Sequence, residues 1–395
     1  MDDELLEAYT VRAVSRGSFG SGLEFLSLTP KQEQPKVNHH FCSTLRFFTV
    51  RFRDGSSRDV VVKRHPTLKA QRELQNTPVQ FQNEVYFYER VLPVLNQGGV
   101  LDNLFPRCYY GVGTGNHESD VLVLEDLSGA GFESGRLRRA HLDHDHCKLV
   151  LQQLAFFHAQ SYLARGRDPD AFERVASKLQ EAYLTFKEKN FFAFLARSFR
   201  RGIDPLIQRG VEIERLSAFL DRASDMFAFY ADLITPESNT GVVCHGDLCN
   251  INILFKYSAN GRPVDLQFVD LQRAKYSSPT VDLSVLLYLH LDPDTRSRHW
   301  DEFIDFYYES LSKAVPRGLV PSREEFLAEF SRKAAFGYLI NSFYIPLMTT
   351  DQHPDEIASE LPDKELIELL INVGGEECTR LLTQLVSHML RKNYI

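Results

Sequence analysis

The secondary-structure signal of the chain changes character between residues 126 and 147. Before residue 126 the pattern is mostly that of strands: Leu45-Arg-Phe-Phe-Thr-Val-Arg-Phe52 alternates, Asp54-Gly55 marks a turn, and Val60-Val-Val-Lys63 follows, as in a β-hairpin. From about residue 147 helical periodicity dominates, over residues 148–164, 174–187, 208–233, 296–315, 322–349 and 364–391. This change predicts an α+β fold with a small β-rich N-terminal lobe and a large, mainly helical C-terminal lobe.

Each part also contains one element of the other kind. In the first part, Thr77 and Pro78 are typical of an N-cap and a first helical position, and they predict a helix that ends near Pro93. In the second part, residues 251–257 and 264–269 are strand-like and flank a turn at Asn260-Gly261. We therefore expect a β-hairpin among the helices.

Composition excludes several classes of protein without selecting a chemistry. The 395 residues are 43% hydrophobic and 25% charged, as in ordinary soluble globular proteins. The formal net charge of −8 argues against nucleic-acid and membrane partners, because both attract clustered cations. The acidic start and the lack of about 20 consecutive apolar residues predict a cytoplasmic protein without a leader or membrane span. The six cysteines form no Cys-x-x-Cys pair and are expected to be reduced thiols.

Glu84 is the first candidate functional residue, because it stands where a carboxylate is unexpected. On the predicted helix it lies within the apolar stripe that contains Phe81, Val85 and Tyr88, and a carboxylate stranded in a core is strongly destabilising. Its natural partner is Lys63, at the end of an apolar strand. A strand lysine paired with a helix glutamate aims an ammonium at nucleotide phosphates, although an exposed position explains either residue alone more simply.

A second cluster of polar residues surrounds the predicted hairpin. Asp247 precedes its first strand, Asn252 begins that strand, and Asp270 follows the returning strand, so the three side chains are expected to surround one space. Phosphoryl transfer uses this set, with one Asp accepting the proton of the acceptor hydroxyl while Asn and Asp oxygens hold Mg²⁺. Turns and caps explain each residue singly. They do not explain the order of all three along the chain after Lys63 and Glu84.

Two further segments have weaker signals. The run Arg16-Gly-Ser-Phe-Gly-Ser-Gly22 could lie over phosphates as a set of backbone N–H donors, although loops of small residues are common. Glu125-Asp-Leu127 closes the first part of the chain, where the hinge of a kinase would hydrogen-bond adenine through backbone groups. The side chains of this segment are expected to be structural.

Several motifs together resemble one protein family. The motifs are Phe81-Gln-Asn-Glu-Val-Tyr-Phe-Tyr88 with Leu92-Pro93, Leu124-Glu-Asp-Leu-Ser128, Leu154-Ala-Phe-Phe-His-Ala159, the 245–252 run and Val281-Asp-Leu283. From about residue 15 to about residue 350 the chain resembles the ecdysteroid-kinase-like (CHK kinase-like) proteins, which are relatives of the choline and aminoglycoside phosphotransferases. The resemblance implies a bilobal protein-kinase-like fold, with a nucleotide-binding lobe over 1–126 and a catalytic, acceptor-binding lobe over 127–395.

The resemblance also implies a role for each residue of the two clusters. Lys63 resembles the phosphate-binding lysine of the family, and Glu84 resembles its ion-pair partner. Asp247 resembles the catalytic aspartate, and Asn252 and Asp270 resemble the ligands of Mg²⁺ that complete the catalytic set. The cofactors implied are ATP and Mg²⁺.

The nucleotide-binding loop matches the family pattern only in part. Gly22-Leu-Glu-Phe-Leu-Ser27 resembles a Gly-x-Asn-Tyr-x-Ser loop, with Gly22 and Ser27 as nucleotide-binding positions and with Glu and Phe replacing Asn and Tyr. Glu125 and Leu127 of the hinge are further positions implied for the nucleotide. Elsewhere, Cys249 replaces the usual Trp and Leu271 replaces the usual Phe. None of these departures removes a residue assigned to chemistry.

The implied activity is ATP-dependent phosphorylation of a hydroxyl on an ecdysteroid-like or other small alcohol. More than a hundred residues separate Glu125 from Asp247, and no Ala-Pro-Glu motif follows Asp270, which disfavours a polypeptide acceptor. Two alternatives stay open. One is a kinase for choline-like cations or aminosugars, which would need acidic residues around the acceptor, and the other is a catalytically inactive kinase-like binding protein. The sequence does not indicate an oligomeric state.

Other conspicuous residues have ordinary structural explanations. The segment His141-Leu-Asp-His-Asp-His-Cys147 contains residue types that bind zinc, but no second ligand pair is evident, and a helix cap at Asp143 or Asp145 is favoured. His158 is expected to be a buried histidine with a structural hydrogen bond, and the resemblance implies that Asp282 braces the catalytic loop. Aromatic runs at residues 191–194, 227–230 and 343–344 could form the walls of an acceptor site, but most aromatics at helical spacing belong to a core.

Overall fold

Antiparallel strands build much of the first part of the chain, as the alternating pattern predicts. The computed structural model describes residues 3–31, 43–67, 69, 72–73, 76–134, 141–185, 190–237, 240–349, 368 and 371–395. Their strands are β1 (Phe25–Pro30), β2 (Thr44–Phe52), β3 (Ser57–Arg64), β4 (Cys108–Val112), β5 (Val121–Glu125), β6 (Phe132–Ser134), β7 (Val242–Cys244), β8 (Ile253–Tyr257), β9 (Pro263–Phe268) and β10 (Lys275–Ser277).

Helices dominate the second part. The helices are α1 (Asp3–Ser15), α2 (Thr77–Tyr86), α3 (Leu92–Leu95), α4 (His144–Arg167), α5 (Pro169–Ala176), α6 (Asn190–Arg200), α7 (Asp204–Gln208), α8 (Ile213–Arg222), α9 (Met226–Ile234), α10 (Pro279–His290), α11 (Pro293–Ala314), α12 (Arg323–Lys333), α13 (Ala335–Thr349) and α14 (Gly375–Arg391). The predicted α+β class, with a small antiparallel sheet and a larger, mainly helical part, is confirmed. Among the described residues, none of the helices has both the length and the apolar composition needed to cross a membrane.

The elements group into two compact units. The first unit contains Met1–Gly135 and Ile251–Arg273, and the second contains Arg136–Asn250 and Ala274–Ile395. The predicted hairpin of the second part is β8–β9, and its residues belong to the first unit, where β8 also pairs with β6. The functional division into a nucleotide-binding lobe over 1–126 and an acceptor-binding lobe over 127–395 stays a prediction.

The main sheet of the first unit has five strands in the order β1-β2-β3-β5-β4. β2 and β3 form the predicted hairpin, with Phe47 opposite Val61. Gly55 occupies its turn at a φ of 86°, a conformation that glycine adopts without steric cost. Because side chains alternate along a strand, Phe48 and Val50 face the opposite side of the sheet from Phe47.

Helix α1 covers the face of the sheet that contains Phe48 and Val50. Its Leu6, Tyr9 and Ala13 join those two residues in one buried apolar cluster. This helix was not predicted from the sequence, in a part of the chain that otherwise consists mostly of strands. With one face of the sheet covered, the side chains of the other face are available for a cavity.

Helix α2 differs from its prediction at both ends. The N-cap is Asn76, with a left-handed φ of 48°, and Thr77 is already helical, so the prediction of Thr77 as N-cap was wrong. Beyond Tyr86 the chain continues as a π-helical turn, Phe87–Val91, and then as α3, whose first turn contains Pro93. Proline fits there because the first residues of a helix need no N–H partner within it.

Several helix predictions for the second unit are confirmed and others are corrected. Residues 148–164 lie within α4, and α11 covers most of 296–315. The predicted helix over 174–187 is wrong, because α5 begins after the cap Asp168 and ends at Ala176. The predicted helix over 208–233 contains a break, because Asp225 accepts a hydrogen bond from the N–H of Ala228 and starts α9.

The last two predicted helices also need correction. Residues 322–349 form two helices, α12 and α13, rather than one. The helix predicted over 364–391 is observed from Gly375 onward, and residues 364–367, 369 and 370 lie outside the described residues. Helices α6, α7 and α10 were not predicted as separate elements, although Asp282 was expected near a helix start and lies in α10.

A close approach between α10 and α13 organises the core of the second unit. A Cβ atom added to Gly337 of α13 would lie 2.5 Å from the carbonyl oxygen of Ser284 in α10, so only glycine allows this spacing. The side-chain amide of Asn341 donates to the carbonyl of Val285 at 3.2 Å. These contacts fix α13, which carries Phe343 and Tyr344.

The C-terminal helix α14 buries a histidine among aromatic rings of the same unit. His388 lies against Trp300, with ring centroids 4.6 Å apart, and its Nδ1 is 3.2 Å from the hydroxyl of Tyr288. Burial lowers the pKa of His388 to about 3, and the nearby Arg296 and Arg391 act in the same direction. The folded protein therefore favours the neutral imidazole.

The lowered pKa predicts a loss of stability in acid that depends on His388. Unfolding restores an ordinary histidine pKa near 6.5, so the unfolded chain binds the proton first, and stability falls as the pH drops below about 6.5 toward 3. Between pH 7 and pH 5 this contribution is about 2 kcal/mol. Urea unfolding at both pH values should show a smaller pH-dependent loss for His388→Gln than for the wild type. Equal losses for these two proteins would contradict the prediction, and His117→Gln, at an exposed position, is the control.

Candidate active site

The face of the main sheet opposite α1 borders a cavity within the first unit. Its empty volume, including the mouth to solvent, is about 1150 Å³. Most of its walls are apolar, and charged side chains lie among them. The lining residues are Leu45, Phe47, Val61, Lys63, Glu84, Pro106, Leu124, Glu125, Asp126, Leu127, Ser128, Phe132, Glu133, Ser134, Ile251, Leu254, Val269 and Asp270.

Lys63 lines this cavity and lies between two acidic side chains. Its Nζ is 2.6 Å from Oε2 of Glu84 and 2.6 Å from Oδ1 of Asp270. The Lys63 residue is 4% exposed and Glu84 is 1% exposed, so this is a buried ion cluster. The predicted pair of Lys63 with Glu84 is present, and Asp270 from the end of the hairpin joins it.

The pKa values of the cluster reflect burial opposed by charge. Burial alone would lower the pKa of Lys63, but Asp270 and Glu84 outweigh this effect and raise it. Burial raises the pKa of Glu84 to about 7, the Lys63 ammonium opposes that rise, and Asp270 adds to it. Lys63 therefore stays protonated between the two acidic side chains.

Hydrogen bonds from α2 fix both Glu84 and the chain after Asp270. Oε1 of Glu84 accepts from the N–H of Leu271 at 3.2 Å, and the Asn83 side chain donates to the carbonyl of Gln272 at 3.2 Å. Glu84 thus binds the lysine with one oxygen and the backbone with the other. Neither backbone contact was evident from the sequence.

A buried network of three side chains holds the start of α2. His65 lies 3.1 Å from Oγ1 of Thr77 and 3.1 Å from Oδ2 of Asp120, and its ring stacks on Phe81. Asp120 also accepts from the N–H groups of Thr114 and Gly115. This network fixes the start of α2, which lies two helical turns before Glu84. It therefore helps to position Glu84.

The chain segment at the rim of the cavity is held by a second ion cluster. Glu125 and Leu127, both predicted as hinge residues, line the cavity. Between them, Asp126 accepts from Lys31 at 2.7 Å and from the N–H of Ser128 at 3.0 Å. Lys31 also binds Asp59 at 2.8 Å. The side chain of Asp126 is therefore structural, as expected.

Asn252 and Asp270 are neighbours through the backbone of the β8–β9 hairpin. The N–H of Val269 donates to the carbonyl oxygen of Asn252 at 3.0 Å, next to Asp270. Asp270 has a φ of 69°, a conformation that costs free energy for a residue with a side chain and is typical of functional sites. Carboxylate and amide oxygens are the ligand types that Mg²⁺ prefers, so this donor set fits the predicted metal.

Gly22 and Ser27 are not brought to this cavity. Gly22 lies in a turn before β1 and Ser27 lies in β1, and neither is among the described residues that line the cavity. Phe19 of the Gly-rich run is buried against Tyr109, with ring centroids 4.1 Å apart, and belongs to the apolar cluster that α1 covers. Binding of nucleotide by Gly22 and Ser27 stays a prediction.

Asp247 belongs to the second unit, where it follows strand β7. Asp282 accepts hydrogen bonds from the N–H groups of His245 at 2.6 Å and Gly246 at 2.8 Å, and Gly246 has a left-handed φ of 82°. Asp282 therefore braces the segment that leads to Asp247, as the family resemblance implied. The N-cap of α10 is Ser278, so Asp282 does not cap this helix.

His158 connects Asp282 to the helices of the second unit. Its two ring nitrogens lie 2.6 Å from the hydroxyl of Tyr307 and 3.2 Å from Oδ2 of Asp282. The prediction of a buried histidine with a structural hydrogen bond is confirmed. Burial would raise the pKa of Asp282, but hydrogen bonds from His158 and the backbone, with the charge of the histidines, hold it below its ordinary value.

Tyr344 is a candidate functional residue that sequence reasoning treated only as a possible wall. Its hydroxyl donates to Oδ1 of Asp247 at 2.9 Å. The ring of Tyr344 lies edge-on to Phe343, with centroids 4.7 Å apart, and Phe343 contacts Phe191 and Tyr183. A cluster of aromatic rings therefore continues from Tyr344, the residue bonded to Asp247. A separation of 97 residues from Asp247 left no local signal to find this contact.

The fold, the buried lysine cluster and the braced Asp247 support a kinase-like phosphotransferase as the class of protein. A family model described as the ecdysteroid kinase-like family matches residues 38–317, which is more than half of the chain. The chain therefore belongs to the ecdysteroid kinase-like family, as its motifs predicted.

Comparison with solved structures found distant similarities over nearly the whole chain. A macrolide 2′-phosphotransferase from Brachybacterium faecium is 15% identical, with a TM-score of 0.40 and coverage of 93% of this chain and 98% of that one. A choline kinase from Streptococcus pneumoniae is 15% identical, with a TM-score of 0.39 and coverage of 95% and 99%. An amicoumacin kinase in complex with AMP-PNP and Ca²⁺ is 11% identical, with a TM-score of 0.37 and coverage of 95% and 97%. No curated protein matched the sequence.

The brace at Asp282 leads to a prediction about stability. Asp282→Asn should lower the free energy of unfolding by about 1–3 kcal/mol, because an amide cannot accept from both buried N–H groups through two oxygens. Thermal unfolding of the unliganded protein measures this loss. Asp221→Asn, a matched change at an exposed position of α8, should shift the melting temperature little. Equal melting temperatures for Asp282→Asn and the wild type would contradict the bracing role.

Proposed function

We propose that the chain is an ATP- and Mg²⁺-dependent kinase that transfers the γ-phosphoryl group to a hydroxyl of a small molecule. The observation that carries this proposal is the buried cluster of Lys63, Glu84 and Asp270 in the lining of a largely apolar cavity. A buried cation with two carboxylates costs more than well-packed apolar residues would. A functional requirement for the charges explains why the chain keeps them there.

The cavity of the first unit suits an adenine nucleotide. Phe47, Val61 and Leu254 among its apolar walls would contact the base, and backbone groups of the hinge at Glu125 and Leu127 would hydrogen-bond its edge. Lys63 would bind phosphate oxygens. Asn252 and Asp270 would hold Mg²⁺, which when bound neutralises charge on the transferring phosphoryl group.

Asp247 is the proposed catalytic residue. Its carboxylate would orient the acceptor hydroxyl and accept its proton as that oxygen bonds to the γ-phosphorus and the bond from phosphorus to the bridging oxygen of ADP breaks. The hydroxyl of Tyr344 donates to Oδ1 of Asp247. The bond from Tyr344 would keep the carboxylate in one orientation, which makes Tyr344 a positioning residue.

An ecdysteroid-like or other apolar alcohol is the proposed acceptor. The rings of Phe343, Phe191 and Tyr183 form an aromatic cluster that continues from Tyr344, and aromatic faces bind planar apolar skeletons without fixed charges. A choline-like acceptor would also bind aromatic faces, but would need carboxylates beside these rings in addition.

Nucleotide binding is tested by thermal unfolding with and without ATP and Mg²⁺. Saturation at 100 times the dissociation constant stabilises the folded state by about 2.7 kcal/mol, so the wild type should melt at a higher temperature with ligand. Lys63→Met should lose most of this shift relative to its own unliganded state. Lys256→Met, which removes an exposed lysine of β8, should retain the shift, as should Asp247→Asn. An undiminished shift in Lys63→Met would contradict the role given to Lys63.

Turnover is tested by incubating the protein with ATP, Mg²⁺ and a panel of hydroxylated metabolites, with detection of a mass gain of one phosphoryl group. The wild type should phosphorylate at least one apolar alcohol, and Asp247→Asn should not. Nucleotide binding without any transfer would favour the alternative of an inactive kinase-like binding protein. Transfer at the wild-type rate by Asp247→Asn would exclude Asp247 as the catalytic residue.

The role of Tyr344 leads to a separate prediction. Tyr344→Phe removes a hydrogen bond worth about 1 kcal/mol and should lower kcat by about fivefold to tenfold while KM for the acceptor and the ATP-dependent thermal shift stay unchanged. Tyr308→Phe is the control, because it removes a tyrosine hydroxyl that binds the carbonyl of Pro321. A rise in turnover for Tyr344→Phe would mean that the tyrosine hydroxyl competes with the acceptor for Asp247, and the positioning role would be wrong.

A further inference from the structure

The histidine-rich segment at residues 141–147 meets two ligand-type side chains of a second helix. Asp143 caps α4 by accepting from the N–H of His146 at 3.0 Å, as the sequence indicated, and this leaves His144 at the first position of the helix. Opposite it, α11 presents His299 and Glu302, one helical turn apart. All of these residues belong to the second unit. The second ligand pair that the sequence did not reveal is therefore supplied by a helix about 155 residues away in the chain.

The donor atoms of this cluster lie close to one another. Nε2 of His144 is 2.9 Å from Oε1 of Glu302, and Nδ1 of His299 is 2.7 Å from Oε2 of the same carboxylate. One ligand atom from each of the three residues lies within 4.8 Å of the others. Tetrahedral zinc places its ligand atoms roughly 3.3 Å apart, given bonds of about 2.0–2.2 Å. Small rotations of the side chains would thus reach the required geometry without backbone movement.

We propose that His144, His299 and Glu302 bind one Zn²⁺ ion, with water as the fourth ligand. Two imidazoles and one carboxylate are a ligand set typical of zinc sites with an open position. The three side chains are between 37% and 41% exposed, so the ion has a path from solvent. The bound ion would tie the start of α4 to α11. This site is independent of the proposed kinase activity.

Two charged groups beside the cluster affect the affinity in opposite directions. Nζ of Lys148 is 2.8 Å from Oε1 of Glu302 and competes with the metal for that oxygen. The same ammonium lies 5.0 Å from the centre of the Phe306 ring, which gives it another favourable position once the ion binds. Oδ1 of Asp145 is 3.8 Å from Nδ1 of His144, where a carboxylate supports a metal-bound imidazole through its second nitrogen.

The test is a titration of the EDTA-treated, dialysed full chain with Zn²⁺ by calorimetry, and with Co²⁺ by visible absorption, which is intense only for tetrahedral coordination. The chain has thirteen histidines and six cysteines, which offer other ligands to zinc. The measured quantity is therefore the class of Zn²⁺-binding site that is lost when one proposed ligand is replaced. His144→Ala and His299→Ala should each weaken this class by about tenfold or more. Both variants should keep the melting temperature of the metal-free wild type within a few degrees, because the positions are partly exposed.

Two matched variants make the outcome specific. His117→Ala removes an exposed histidine of the first unit and should leave zinc binding unchanged. Lys148→Met keeps the packing on Phe306 but removes the competing ammonium, so it should tighten Zn²⁺ binding by several-fold. Equal Zn²⁺ affinity and stoichiometry for the wild type, His144→Ala and His299→Ala would overturn the proposal, and so would weaker binding by Lys148→Met.

Discussion

The buried ammonium of Lys63 is the constraint on which the arrangement of the first unit depends. One cation is bound by acidic side chains from a helix and from the end of a hairpin, and removal of the lysine would leave both acidic groups buried without a cation. β3, α2 and the end of β9 must therefore keep fixed positions relative to one another. Apolar contacts alone tolerate small shifts of a helix on a sheet, whereas ion pairs at 2.6 Å do not.

The sequence predicted this cluster because a carboxylate inside an apolar stripe requires a partner. Glu84 lies on α2 as expected, and Lys63 binds it. The pattern could not reveal His65 and Asp120, which hold the start of α2, because neither interrupts a periodic stripe. The predicted N-cap of α2 was wrong for a related reason. Threonine is a common N-cap residue, but the hydroxyl of Thr77 binds His65 instead.

Periodicity predicted which regions are helical better than where each helix ends. The continuous pattern over 208–233 hides the cap at Asp225, since the apolar positions on both sides of the break keep a helical spacing. Helix α1 was missed because its apolar residues are recognisable as one stripe only when the sheet face that they cover is known. Contacts between residues distant in the chain determine these elements. A single sequence does not show which residues are in contact.

The two units hold their candidate catalytic groups by different physical means. Charge fixes Lys63 and Asp270, whereas hydrogen bonds from the backbone to Asp282 fix the segment before Asp247. Loss of an ion-pair partner in the first unit should therefore act through charge. The size of this effect should depend little on ionic strength, because the cluster is buried. Loss of the brace in the second unit should act through backbone geometry. Under the proposed function these are separable defects, since the first affects nucleotide phosphates and the second affects the orientation of the acceptor.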